Sequence, residues 1–176
     1  MKLKVVVLGE KPQGVSWLKK ILASNKFDVI AGVGRTSLKN AWWGEDEFGL
    51  ILRKHNIPVV NREQLVNFEY DIIWSIMYGY IIEEEHIKRA RYCGLNLHEA
   101  PLPRYRGCNG YSHAILNGDA TYGTTLHILG AELDCGDLID QEIFPIGEDD
   151  TAKELYVRTA QISDIVFERN LELVAK

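Results

Sequence analysis

The feature that most constrains the fold is the opening run Leu3–Leu8 (LKVVVL), an apolar, β-branched stretch without the alternation of a strand that faces water. Such a run belongs to a strand covered on both faces. The cover follows at once, because Val15, Leu18, Ile21 and Leu22 fall at helical spacing within residues 14–24. The same alternation recurs downstream. Strands are expected at 28–33 (DVIAGV), 70–76 (YDIIWSI), 94–97 (GLNL), 121–130 and 137–145, with a short extended piece at 57–60. Helices are expected near 45–55, 83–91, 110–117 and 151–173, the last opened by the capping box Thr151-Ala-Lys-Glu154. Strands alternating with helices imply an α/β fold with a mainly parallel sheet and helices on both faces. No repeat, low-complexity tract or Gly/Ser linker divides the 176 residues, so a single domain over 1–176 is expected.

Composition narrows the function classes. An apolar fraction of 46% and a charged fraction of 26% are those of an ordinary globular protein. No apolar run approaches the roughly 18 residues needed to cross a bilayer. The start, MKLKVVVLGE, reads as a buried strand rather than a secretory signal. Cys93, Cys108 and Cys135 are odd in number and contain no C-x-x-C pair, which argues against a disulfide framework or a structural zinc site and for a cytoplasmic protein. A net charge of −5 disfavours a nucleic-acid partner, and no membrane partner is expected.

Several features carry two readings. Gly9-Glu-Lys11-Pro-Gln-Gly14 follows the first strand and opens a helix, as a phosphate cradle would, but its spacing is neither G-x-G-x-x-G nor a P-loop. It is either a glycine-shaped turn or, through Lys11, a contact with an acceptor substrate. The five histidines match no common metal spacing, so no metal is expected; His55 and His86 read as solvated, and His127 as a strand residue. Trp42 and Trp43 either stack on a base or sugar or close over the edge of the core. Lys88, Arg89 and Arg91 read as a solvated helix face. Arg104 and Arg106, in a Pro-bounded loop, suit anion recognition.

In open α/β sheets ligands bind beyond the carboxyl ends of strands, which directs attention to the loop after 94–97. There the sequence reads Gly94-Leu-Asn96-Leu-His98-Glu-Ala-Pro101-Leu-Pro103-Arg104-Tyr-Arg106-Gly107, followed later by Leu133-Asp134-Cys135-Gly136. Residues two apart on a strand share a face, so Asn96 and His98 project together while Leu95 and Leu97 pack behind. These residue types suit acyl transfer to an amine. An asparagine amide can donate to an oxyanion, and losing one such donor costs on the order of 3 kcal/mol in barrier. Histidine can move the amine's proton, and a nearby aspartate would stabilise its charged form. Each residue taken alone also fits a cap, a buried histidine and a turn aspartate.

Four ordered motifs together change that weighing: Asn96-Leu-His98, Leu102-Pro103-Arg104-Tyr105-Arg106-Gly107, Asn117-Gly118-Asp119 and Leu133-Asp134-Cys135-Gly136. The segment resembles the folate-dependent formyltransferases, which act on methionyl-tRNA, glycinamide ribonucleotide or nucleotide-linked amino sugars. Gly123-Thr-Thr-Leu-His127 also resembles the strand before that family's catalytic aspartate. The resemblance implies a Rossmann-like core, 10-formyltetrahydrofolate as donor, and Asn96, His98 and Asp134 as the catalytic group. It places the donor's pterin against backbone matching Met77-Tyr78-Gly79-Tyr80-Ile81 and the stretch Leu129-Gly130-Ala131-Glu132. Residues 98–109 look most like the nucleotide-sugar N-formyltransferases. The acceptor would then be an amino sugar, with Trp42 or Trp43 stacking on it and Arg104 or Arg106 balancing phosphate. The same subgroup implies an added carboxyl-terminal dimerisation or accessory region, and with it a homodimer as one expectation; the sequence runs to residue 176. Hydrolysis of the donor, tRNA formylation and an idle binding module are the competing readings.

Overall fold

The computed structural model describes residues 2–34 and 46–174. Trp42 and Trp43 lie outside the described residues. Six strands form one mainly parallel sheet in the order β2-β1-β3-β4-β5-β6: β1 Leu3–Gly9, β2 Phe27–Val33, β3 Ile72–Ile76, β4 Cys93–His98, β5 Thr121–Ile128 and β6 Leu138–Pro145. The helices are α1 Pro12–Ala23, α2 Glu47–Lys54, α3 Glu84–Arg89, α4 Gly110–Leu116 and α5 Ala152–Leu171. This is the α/β architecture expected. By its contacts the chain separates into two compact units, residues 1–95 with 175–176, and residues 96–174.

In the first unit β1 pairs in parallel with β2 on one side and with β3 on the other, so Val5 stands opposite both Val29 and Ile72. A strand flanked on both edges and covered on both faces leaves no position for a polar residue, and Val5, Val6, Val7 and Leu8 are all fully buried. Trp17, Leu18 and Ile21 of α1 are likewise fully buried. Gly9 and Gly14 are fixed by packing, since a Cβ at either would run into the carbonyl oxygen of Ile76. That favours the glycine-shaped turn at residues 9–14. Residues 57–60 contribute a single parallel bridge, Gly32 to Val59.

One expectation fails here. His86 is buried, not solvated, at 2% exposure. The charges around it suggest an exposed helix, but α3 is only six residues long and is pulled inward where the Tyr70 hydroxyl donates to the His86 carbonyl at 2.8 Å.

In the second unit β5 and β6 pair antiparallel, with Tyr122 opposite Phe144 and Thr124 opposite Glu142. Ala100, Ala114, Tyr122, Phe144 and Leu155 form its core. Helix α5 starts at the expected box, where the Thr151 hydroxyl and the Glu154 carboxylate cap each other's backbone amides. It docks through Ser163, whose hydroxyl donates to Thr124 Oγ1 at 2.8 Å, and through Arg169, which grips Asp140 and Glu142 of β6. No helix among the described residues is long and apolar enough to cross a membrane.

Candidate active site

The end of β4 sets the site. Leu95 and Leu97 are buried at 1% and 2% exposure, whereas Asn96 and His98 on the opposite face stay partly accessible. Next on β5, Thr124 and Thr125 each fasten a backbone carbonyl beyond this strand end. Thr124 Oγ1 donates to His98 O at 3.1 Å, and Thr125 Oγ1 to Ala100 O at 2.8 Å. Gln141 Nε2 donates to both Leu102 O and Thr125 Oγ1 at 2.8 Å.

The loop 99–109 is fixed again at its far end. Tyr105 adopts a left-handed backbone conformation (φ 60°), which a residue with a Cβ tolerates only when its surroundings hold it. Its hydroxyl donates to Asp119 and accepts from Asn117 Nδ2 at 3.1 Å. Arg104 pairs with the same Asp119 and lies over the Tyr105 ring, 5.1 Å from its centroid. The N-G-D motif at 117–119 is therefore a clamp on this loop. The guanidinium of Arg104 is engaged within the clamp, and Arg106 is exposed.

Asp134 arrives on the other side, also left-handed at φ 51°. Its Oδ2 accepts from the Gly107 amide at 2.9 Å and lies 3.5 Å from His98 Nδ1, while its Oδ1 lies 3.6 Å from His127 Nε2. Burial pushes the Asp134 carboxyl up. The charge of His98 and the Gly107 amide are among the influences that outweigh this and hold it below its ordinary value. Gly136 makes this turn possible, because a Cβ there would collide with the carbonyl oxygen of Ile128. Asn96 and His98 thus share one face of β4, and Asp134 reaches His98.

The His98 tautomer is set by the backbone. Nε2 lies 2.9 Å from the Tyr105 carbonyl, which can only accept, so Nε2 carries the proton. Nδ1 is left to gain and lose a proton beside Asp134. A fourth residue also joins the group. His127 is fully buried, with Nε2 3.1 Å from Asn96 Nδ2 and Nδ1 2.8 Å from Ile128 O. Its position in the alternating run before the L-D-x-G turn was the available signal. Alternation fixes a face, however, and not what occupies it.

Of the residues expected to bind donor or acceptor, Lys11 caps the start of α1 with its backbone only. Met77 is left-handed (φ 60°), Tyr78 is half-buried, and Gly79, Tyr80 and Ile81 are exposed. Leu129 and Gly130 are half-buried, and Ala131 and Glu132 are exposed. Both stretches lie outside helices and strands, so their amides and carbonyls are not consumed by a ladder. A pterin edge read by backbone groups fits that chemistry. Among the described residues no group of three or more His, Cys, Asp or Glu is placed to hold a metal ion.

The site thus brings together an amide, two imidazoles and a carboxylate beyond the end of β4. A family model described as formyl transferase matches residues 5–171, and the chain belongs to that family. It is 33% identical over 132 residues to the bifunctional polymyxin resistance protein ArnA of Wigglesworthia glossinidia brevipalpis, covering 70% of this chain and 20% of that one. To the methionyl-tRNA formyltransferase of Fusobacterium nucleatum it is 35% identical over 114 residues, covering 65% of this chain and 37% of the relative. The fold superimposes on WlaRD, a sugar 3N-formyl transferase solved in the presence of dTDP and 5-N-formyl-THF, with a TM-score of 0.82. Identity is 27%, covering 99% of this chain and 64% of that one. The chain therefore spans only part of the length of these relatives.

Proposed function

We propose that residues 1–176 act as one catalytic domain that transfers a formyl group from 10-formyltetrahydrofolate to the amine of a nucleotide-linked amino sugar in the cytoplasm. The observation that carries the reading is the convergence of Asn96, His98 and Asp134, with the His98 and Asp134 side chains 3.5 Å apart. When bound, the donor supplies a formyl group on a nitrogen that leaves as an amine. Asn96 donates an N–H to the formyl oxygen as negative charge develops there. His98 would take the acceptor amine's proton at Nδ1, beside Asp134, and would hold it for the donor nitrogen that leaves. Asp134 favours the imidazolium between those steps. The backbone groups of Met77–Ile81 that no ladder consumes would hold the pterin.

For the acceptor, support comes from the likeness to a sugar formyl transferase across nearly the whole chain, and from charge. The stretch 35–47 is mixed to acidic and the net charge is −5, which suits a small acceptor better than tRNA. On this reading Trp42 or Trp43 stacks on the base or sugar. Arg106 balances phosphate, joined by Arg104 when it exchanges Asp119 for the acceptor.

The test is to incubate the protein with 10-formyltetrahydrofolate alone, with dTDP-linked 3-amino and 4-amino sugars, and with methionyl-tRNA. Tetrahydrofolate release that depends on the amino sugar supports the proposal. Release without any amine identifies a hydrolase, and release only with methionyl-tRNA transfers the acceptor to RNA. Donor binding without turnover in any arm identifies a binding module.

A further inference from the structure

Nothing in the acyl-transfer chemistry requires a second imidazole, yet His127 is fully buried among the catalytic residues. Its ring nitrogens face two different partners. Nδ1 lies 2.8 Å from the backbone carbonyl of Ile128. A carbonyl only accepts, so this nitrogen carries the proton and Nε2 of the neutral ring presents a bare lone pair. That lone pair faces Asn96 Nδ2 at 3.1 Å and receives one of its two N–H groups. An asparagine amide has an accepting and a donating end of almost equal size, and the strand that carries it does not choose between them. With the oxygen end turned toward the formyl group, the amide would repel the negative charge it is needed to stabilise. The bond to Nε2 excludes that orientation and leaves the second N–H of Asn96 for the substrate.

We infer that His127 is a positioning residue for the transfer: locked as the Nδ1–H tautomer by the Ile128 carbonyl, it fixes the Asn96 amide with its nitrogen end toward the formyl oxygen. Asp134 Oδ1, 3.6 Å from the same Nε2, makes the assignment demanding. A proton on Nε2 would turn toward that carboxylate, and Nε2 would then have nothing to offer Asn96. His127 thus works only as an acceptor, whereas His98 works by changing its protonation state.

The inference rests on the proposed formyl transfer, so one measurement is chosen to need no substrate. Long-range 1H–15N spectra of the unmodified protein should show a pyrrole-like Nδ1 and a pyridine-like Nε2 for His127. A protonated Nε2 overturns the inference, whatever the protein catalyses. The kinetic test is a double-mutant cycle. His127→Leu, which fills the space but cannot accept, should lower kcat roughly 10- to 100-fold with donor KM unchanged. His127→Gln, whose side-chain oxygen can still accept from Asn96, should recover much of the loss. In an Asn96→Ala background, His127→Leu should cost nothing further in kcat, because the group it orients is already gone. Independent, additive losses would show a structural role and overturn the inference. If the tautomer is as expected but no amine is formylated in any arm, it is the functional reading that fails.

Discussion

Two loops that follow strand ends, 77–83 after β3 and 99–109 after β4, are fastened by the same device to very different degrees. In each, an arginine lies over a tyrosine and pairs with a carboxylate. Arg62 stands 5.9 Å from the Tyr80 centroid and pairs with Glu83 at 2.9 Å, while Arg104 stands 5.1 Å from the Tyr105 centroid and pairs with Asp119. Beyond that they diverge. Loop 99–109 is tied to buried groups along its length through Thr125, Gln141, His98 and Asp134. Loop 77–83 has one further tie from this arginine, Arg62 to the Ile81 carbonyl at 2.7 Å, and Tyr80 and Ile81 at its tip are 50% and 69% exposed. Under the proposed function the difference would match two tasks. Groups that stabilise a transition state must already be in place, since reorganising them would consume the advantage they give. A surface that reads a large planar ligand through its backbone can adjust on binding.

Asp134→Asn strikes the pinned region hardest. It removes the charge beside His98 Nδ1 while keeping an acceptor for the Gly107 amide, and kcat should fall roughly 1000-fold in a steady-state assay of folate release. A loss under tenfold would show that the carboxylate serves the fold alone. Stability offers a second reading. The folded carboxyl sits below its ordinary value near 3.8, so the ionised form stabilises the protein above that value and the benefit fades as pH falls through the folded one. Thermal melts should therefore show the gap between wild type and Asp134→Asn narrowing below about pH 4. Next in size, Asn96→Ala should lower kcat roughly 100-fold with donor affinity unchanged by titration calorimetry. Weakened donor binding of the same size would move Asn96 from the chemical step to ground-state binding.

How much of this was legible in the sequence follows the same division. The pinned loop announces itself, because each tie needs a particular residue at a particular spacing: Asn96 and His98 two apart, Pro-Arg-Tyr-x-Gly at 103–107, Asn117-Gly-Asp119, and Leu133-Asp-x-Gly136. The fold was legible for a similar reason, since a doubly covered strand such as Val5–Leu8 tolerates little but β-branched apolar residues. Three things were not legible. The burial of His86 depends on the hydroxyl of Tyr70, sixteen residues away, which no local charge pattern reveals. His127 joins the site through a distance to Asn96 across 31 positions. The His98 tautomer depends on the carbonyl of Tyr105, and a backbone acceptor leaves no mark on residue type.

Gly136 tests whether the pinning of Asp134 is built into the backbone. Its site admits no Cβ, because the Ile128 carbonyl fills the space, and Ile128 N is itself bonded to Asp137 O at 2.9 Å. Gly136→Ala must displace backbone rather than a side chain, which should cost about 2 kcal/mol of stability in chemical denaturation. The shift should also carry Asp134 away from His98 and reduce kcat. Full stability with full activity would show that the turn has slack the contacts do not suggest.

The weakest effect is expected where the fastening is lightest. Arg62→Ala removes a partly exposed ion pair worth at most about 1 kcal/mol and a cation–π contact worth a further ~0.5–1 kcal/mol. It also frees the Ile81 carbonyl, and it leaves the Asn96 cluster in the other unit intact. Donor KM should rise by roughly 3- to 10-fold, with kcat at saturating donor within about twofold of wild type. Tyr78 gives an independent readout, since burial pushes its phenol up to about 12 against the pull of the Arg62 charge. Removing that charge should raise it further in a spectroscopic titration. If kcat collapses instead and donor KM holds, loop 77–83 takes part in the chemical step, and the contrast between an adjustable loop and a preorganised one is wrong.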